Sequence, residues 1–304
     1  MQEGRPKDGH APDADRGGAD KKRWYVLLLF CAAFFPCSAR TATDELGRLI
    51  QVPEHPHRLV CLAPSVVDDV YALGAGQDVL AVTDYVKYPA AARAKPSVGL
   101  PLNPSIETIV SLHPDLVLGL GEMNDLDTMK RLQKLGIAVF MVAPHGFQDI
   151  YRSIASIGRA LNRDESAREL IGRLRERESA VRRRVSGKPV VSILMPLWFD
   201  PVITIGKHAF ITELIEIAGG HSATSDLPQE WPQISLEAVL ARKPDALLLE
   251  RGSKMSAQQI LSRPGWSSVP AVRNHRIYYV DDRIELSSPV VFDALEELAR
   301  QLHP

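Results

Sequence analysis

The chain has 304 residues, enough for two domains of ordinary size, each with a core of its own. Its 36 Lys and Arg stand against 37 Asp and Glu, a formal net charge of -1. Without a basic excess it lacks the footprint of a protein that grips phosphate backbones or anionic lipid, so nucleic acid is not an expected partner.

The N-terminus reads as an export signal over residues 1–39. Lys21, Lys22 and Arg23 precede an apolar run from Trp24 to Phe35, and Cys37-Ser38-Ala39 supplies the small residues a signal peptidase reads, with cleavage after Ala39. The run is well short of the roughly 20 apolar residues of a membrane-spanning helix, which disfavours a permanent anchor. Lipidation at Cys37 is not favoured either, because Phe34-Phe35-Pro36 precedes it where a Leu is expected three residues upstream. The expected location is exported and periplasmic. Beyond the signal only Cys61 remains, inside the apolar stretch "RLVCLAP", where a small core residue and no disulfide are expected.

From there short β-rich runs alternate with helical ones. Strands are expected at Arg58–Ala63, Val79–Val82, Leu116–Leu118 and Ala138–Val142, with helical spacing at Val67–Leu73 and Leu126–Leu135. Continuous apolar strands divided by helices predict a parallel sheet covered on both faces. From Asp164, read as an N-cap, to about Ser186, apolar residues at 167, 170, 171, 174, 181 and 185 mark one helical stripe with charges on the other faces. With no Pro and one Gly, the segment predicts an uninterrupted helix of about 33 Å at ~1.5 Å per residue. The run Arg182–Arg184 is read as a solvated helix end. The second half repeats the strand scheme at Val190–Leu194, Ile203–Ile205, Ala246–Leu249 and Ile277–Val280, and "GKHAFITELIEIAGG" reads as a loop entering a helix that stops at Gly219-Gly220.

One unit is written twice. "SIETIVSLHPDLVLG" at 105–119 returns as "SLEAVLARKPDALLLE" at 235–250, and Ser105/Ser235, Glu107/Glu237, Pro114/Pro244 and Asp115/Asp245 keep a constant interval of 130. Each copy predicts an N-capped helix with an acid in its first turn, stopped by Pro before a buried strand. The expected organisation is an N-terminal α/β lobe over 44–145, a helical connection over 146–186 and a C-terminal α/β lobe over 187–304.

Two α/β lobes joined by a single long helix resemble the substrate-binding proteins of ABC importers for iron complexes and cobalamin, the helical-backbone receptors. The segments that carry the resemblance are "RLVCLAPSVVDDVYALGAG" at 58–76, "VTDYVKYPAAARAKPSVG" at 82–99, "NPSIETIVSLHPDLVLG" at 103–119 and "WPQISLEAVLARKPDALLL" at 231–249. The resemblance implies two Rossmann-like lobes with the ligand in the cleft between them, and it is nearest to the cobalamin binders. It implies ligand contacts at Tyr85 and Tyr88, at Trp231 from the opposite lobe, at Trp198 and Phe199, and at Asp282 with Arg283. It also implies that Glu107 and Glu237 dock onto a permease homodimer with its ATPase subunits. The protein is expected to be a monomer with no catalytic residue and no cofactor of its own. Large rings suit a large, flat, mostly apolar ligand, and few Arg stand in the cleft loops to meet an anionic iron complex. Cobalamin or a related corrinoid is therefore the expected ligand, with a ferric siderophore or haem as the alternative. Two departures bear on that choice: Gly99, Leu100 and Pro101 stand where cobalamin binders can carry a Trp, and Leu286 where they can carry an Arg.

Two other classes are weaker. Capture of a bare zinc or manganese ion needs clustered imidazoles, and among the eight His beyond the signal only His55 and His57 are close in sequence. For an enzyme, no nucleotide-binding or nucleophile-elbow motif is present, and "LGAG" at 73–76 follows a helix and reads as its stop. Lys207 and His208 read better as helix-entry residues than as catalytic ones.

Overall fold

A two-stranded antiparallel hairpin, β1 (Ala39–Thr43) and β2 (Leu49–Pro53), leads into the first lobe. The computed structural model describes residues 39–304 apart from 253 and 254. Residues 1–38 of the expected signal 1–39, with Cys31 and Cys37, lie outside the described residues, and its last residue, Ala39, begins β1. The hairpin extends the folded chain upstream of the expected boundary at residue 44.

The N-terminal lobe then runs β3 (Leu59–Cys61), α1 (Pro64–Ala72), β4 (Val79–Val82), α2 (Ile106–Ser111), β5 (Leu116–Leu120), α3 (Leu126–Lys134) and β6 (Val139–Val142). Its four strands form a parallel sheet in the order β4-β3-β5-β6. Alternate residues on each strand serve two cores. Val60, Val117, Val139 and Met141 pack under α2 and α3, while Leu59, Cys61, Leu118, Phe140 and Val142 face the other way. All are buried, which is why these strands read as unbroken apolar runs rather than alternating ones.

Two helices follow, α4 (Asp149–Ala160) and the backbone helix α5 (Asp164–Val185). The expected stripe holds, with Ala167, Leu170, Leu174 and Val181 buried. Two expectations fail. Arg163 occupies the N-cap without a side-chain cap, and Asp164 is the first helical residue, where its charge meets the helix dipole directly. The buried stripe also contains a charge, Glu178, which accepts hydrogen bonds from Tyr151 Oη at 2.7 Å and Arg182 Nε at 2.8 Å. Arg182 is thus a partner of the stripe and not a purely solvated end.

The C-terminal lobe comprises β7 (Val191–Leu194), β8 (Pro196–Phe199), β9 (Val202–Thr204), α6 (Phe210–Ile217), β10 (Gly220–Ser222), β11 (Gln233–Ile234), α7 (Leu236–Arg242), β12 (Ala246–Glu250), α8 (Ala257–Leu261), α9 (Pro270–Arg273), β13 (Ile277–Val280) and α10 (Val291–Leu302). Its parallel sheet has the order β10-β7-β12-β13. Numbered within each lobe, both sheets read second, first, third, fourth, so the repeat extends to topology. The expected strand Ile203–Ile205 is not part of this sheet. It is β9, paired antiparallel with β8 and β11. The second parallel strand is β10, whose Gly220 the sequence assigns to a helix stop. Gly220 lies close against its neighbours, since an added Cβ would lie 2.7 Å from Ile193 Cδ1 and 3.3 Å from Ile215 O.

One apolar cluster is common to both lobes. Phe147 meets Phe292 of α10 with ring centroids 5.1 Å apart, Tyr151 meets the same ring at 5.9 Å, and residues of α1, α4, α5, α6 and α10 complete the cluster. Each fully buried Leu, Ile, Val or Phe contributes about 1.5–3 kcal/mol. Polar ties reinforce it: Val290 N–H donates to Asp68 Oδ2 at 2.9 Å, and Phe147 N–H to Glu213 Oε2 at 2.8 Å. The two lobes share a core at the base of their cleft.

Candidate functional site

The duplicated unit builds one corner of each lobe. Ser105 Oγ accepts from Thr108 N–H and Ser235 Oγ from Ala238 N–H, capping α2 and α7. The helices end at Ser111 and Arg242, shortly before Pro114 and Pro244, and the residue before each Pro is left-handed, His113 at φ 46° and Lys243 at φ 48°. Asp115 and Asp245 close the unit. The Asp115 carboxylate accepts the N–H groups of His57 and Arg58 at the start of β3, and that of Asp245 accepts Ser192 N–H on β7. Glu107 and Glu237 are exposed in the first turns. The hydrogen bond with Ser235 holds the Glu237 carboxyl below its usual range.

The loops at the C-terminal ends of the strands face the gap between the lobes. A cavity of about 550 Å³ lies there, lined by Glu122, His145 and Asp149 from one lobe and Lys207, His208 and Glu230 from the other. His145 Nδ1 lies 2.7 Å from Glu122 Oε1. Burial and then the Glu122 charge push the Glu230 carboxyl up, with His145 and His208 opposing them. Gly206, which precedes the Lys207-His208 pair, has no room for a side chain, because an added Cβ would lie 2.0 Å from Gln229 O.

The aromatic residues expected at the ligand divide into two groups. Tyr85, Trp198 and Trp231 expose 73, 61 and 46% of their surface, an unusual outlay for rings in a folded chain. Tyr85 is held at φ 68°, a conformation that costs an aromatic residue about 1–3 kcal/mol. Phe199 is different. Its ring packs on Trp266 at 5.0 Å with the Arg263 guanidinium 5.4 Å from its centroid, and it lines a groove beside Ser235. The cavity of about 550 Å³ is lined by none of Tyr85, Tyr88, Trp198, Phe199 and Trp231. Strand alternation explains the split, since adjacent Trp198 and Phe199 on β8 face opposite sides.

Tyr88, Asp282 and Arg283 meet each other. The Tyr88 hydroxyl donates to Asp282 Oδ1 at 2.9 Å and lies 3.2 Å from Asp281 Oδ1, while Lys87 pairs with Asp282. Burial, followed by the hydrogen bond to Asp282 and the charges of Asp282 and Asp281, pushes the Tyr88 phenol up to about 12. Arg283 donates to Asp281 and to Asp293 at 2.7 Å each, and its guanidinium lies 5.6 Å from the Tyr88 ring centroid. Burial alone would raise the Asp281 carboxyl, yet the Arg283 hydrogen bonds hold it well below the usual range. A guanidinium so neutralised is not displayed to an anionic ligand. Arg177 of α5 binds Asp293 and Glu296 at 2.6 Å each, so the network reaches the backbone helix.

Residues 59–284 match the family model described as periplasmic binding protein. The chain belongs to the periplasmic binding protein family. A relative of this periplasmic binding protein is the uncharacterised ABC transporter substrate-binding lipoprotein YvrC of Bacillus subtilis, 31% identical over 272 residues that cover 87% of this chain and 85% of that one. The vitamin B12-binding protein of Photorhabdus laumondii is 26% identical over 248 residues, covering 82 and 88%. Among solved structures, the apo form of the periplasmic heme-binding protein RhuT from Roseiflexus sp. RS-1 aligns with a TM-score of 0.75 at 26% identity, covering 81% of this chain and 98% of that one. The architecture is therefore that of the family, two lobes with parallel sheets and a long connecting helix.

The sequence reading missed His145, Glu122 and Glu230 and dismissed His208. Their one local signal is position, each lying in a loop beyond a strand that faces the cleft. Nothing local shows that loops more than sixty residues apart line one cavity.

Proposed function

We propose that this periplasmic binding protein is the exported ligand receptor of an ABC importer, that it holds a corrinoid between its lobes, and that it delivers the corrinoid to a permease homodimer with its ATPase subunits. The observation that carries the reading is the pairing of two features. The same capped, Pro-stopped helix presents an exposed acid on each lobe, Glu107 and Glu237, and the rings of Tyr85, Trp198 and Trp231 are exposed. A two-fold partner needs one corner twice, and a large flat ligand needs rings rather than charges. The neutralised Arg283 argues the same way, since a binder of anionic iron complexes keeps its guanidinium forks free.

In this reading the protein acts as a monomer, carries no cofactor of its own and is not an enzyme. Residues 1–39 serve as its signal, with a lipid anchor at Cys37 as the alternative that the lipoprotein relative supports. No helix among the described residues is long and apolar enough to cross a membrane. A second ligand reading is haem or a ferric siderophore, which the fold likeness to a heme-binding protein supports. Incubation with cyanocobalamin, haemin or a ferric hydroxamate, followed by desalting and an absorption spectrum, tests the proposal. Retention of the corrinoid at one per chain is expected, and retention of the iron complexes alone overturns the ligand assignment.

A further inference from the structure

The turn between β1 and β2 grips the edge of the first parallel sheet. Glu45 N–H donates to Met141 O at 3.0 Å, Met141 N–H to Asp44 Oδ2 at 3.3 Å, and Ala143 N–H to Glu45 Oε2 at 2.7 Å. Two carboxylates and one backbone amide thus stand where a further strand would pair with β6, the last strand of that sheet. The turn is itself fixed. Asp44 Oδ1 accepts Leu46 N–H at 3.1 Å and Arg48 N–H at 2.9 Å, and Gly47 supplies the positive φ of 77° that closes it.

From β6 the contacts pass into the loops that line the interlobe cavity. The Glu45 side chain is buried, and its Oε2 also accepts Ser153 Oγ–H of α4 at 3.0 Å. Its Oε1 has no hydrogen-bond partner among the described residues and faces Arg152 Nε at 3.8 Å. Arg152 in turn donates to Ala143 O at 3.3 Å and to Asp149 Oδ1 at 2.7 Å, while Asp149 Oδ2 accepts His145 N–H at 3.0 Å and Gly146 N–H at 3.1 Å. Leu46 reaches the other loop. A Cβ added to Gly121 would lie 3.3 Å from both Leu46 Cδ2 and Ala143 Cβ, so the turn and the two loops meet at one point. Glu122 follows Gly121, His145 lies two residues beyond Ala143, and their side chains meet with Nδ1 and Oε1 2.7 Å apart. From this arrangement we infer that Glu45 and Leu46 are positioning residues for the polar wall of the cleft, setting the Glu122–His145 pair by holding the two loops that carry it. The inference rests on the proposal that ligand enters between the lobes, where a wall set beforehand lowers the ordering cost of binding.

The pair has a signature that global stability does not move. A carboxylate against Nδ1 favours the imidazole tautomer with its proton there, and nitrogen-15 shifts of the His145 ring report that tautomer in the full chain at pH 8. Glu45→Ala should lower the Nδ1–H share by about half and speed amide exchange at Ala143, His145 and Gly146 by about tenfold, with exchange in β12 and β13 unchanged. Glu45→Gln keeps an acceptor for Ala143 N–H and should restore both readouts. Leu46 is exposed, so Leu46→Ala spares the buried carboxylate, and it should lower the Nδ1–H share in the same direction. An unchanged tautomer in either Ala variant overturns the inference, as does amide exchange that rises alike in both lobes. Retention of cyanocobalamin by the wild type decides the ligand reading by itself, so the two can fail independently.

Discussion

The hydroxyl of Tyr88 in the N-terminal lobe lies 2.9 Å from Asp282 Oδ1 in the C-terminal lobe, a bond between residues 194 apart in sequence. Burial first, and then this bond, raise the phenol pKa. A raised group contributes stability that is present below its unfolded value near 10 and lost as pH climbs through about 12. Tyr88→Phe keeps the ring and removes the bond, so it should cost about 1–2 kcal/mol in denaturant unfolding. The phenolate step missing from its ultraviolet titration should lie near 12, not near 10.

The shared core beneath the cleft limits how far the lobes can move. Phe147, Tyr151 and Phe292 join them, and Glu178 and Arg177 tie the backbone helix to the same cluster. Scattering curves with and without a corrinoid should therefore differ little. A large fall in radius of gyration on binding would show a hinge that these contacts forbid.

The exposed rings should matter for binding and not for folding. Trp231→Ala or Tyr85→Ala removes a ring from the ligand, a loss of about 1–3 kcal/mol, or roughly ten- to a hundredfold in affinity by calorimetry. The melting temperature should fall little for either, and Tyr85→Gly, which relieves the positive φ, should raise it. Phe199→Ala should do the opposite, lowering stability through its packing on Trp266 while affinity changes less.

If the duplicated corners dock a two-fold permease, Glu107→Ala and Glu237→Ala should each weaken uptake, by roughly fivefold at most for an exposed pair. The double change should do so more severely, with ligand affinity unaltered in all three. Transport into vesicles holding the cognate permease is the measurement, and full uptake by the double variant would reduce both acids to helix-dipole charges.

Asp69 of α1 is buried, and its Oδ1 has no hydrogen-bond partner. Burial first, then the charges of Asp68 and Glu45, push its carboxyl well above the usual range. Its proton is thus retained in the folded protein, and the stability it contributes is complete below about 3.9 and falls as pH rises toward the folded value. Denaturant midpoints between pH 4 and 8 should decline more steeply for the wild type than for Asp69→Asn.

The sequence by itself determined what depends on neighbours along the chain. The strands β4, β5, β6, β12 and β13, the backbone helix, the Ser caps and the Pro stops follow from apolar runs, 3.6-residue spacing and cap chemistry, all expressed within a dozen residues. The interval of 130 made the two-lobe repeat legible, because both copies obey the same local rules. The three-residue β10 was hidden, since a strand that short carries no period and Gly220 looks like a helix stop until Ile193 is seen against it. Only the tertiary structure decided which groups meet across long stretches of chain. It turned Phe199 inward and left Trp198 exposed, tied Arg283 to Asp281 and Asp293, joined Tyr88 to Asp282, and set His145 and His208 around one cavity. Those pairings depend on how two separately formed sheets stack over a shared core, and that distance information has no local trace in the order of the residues.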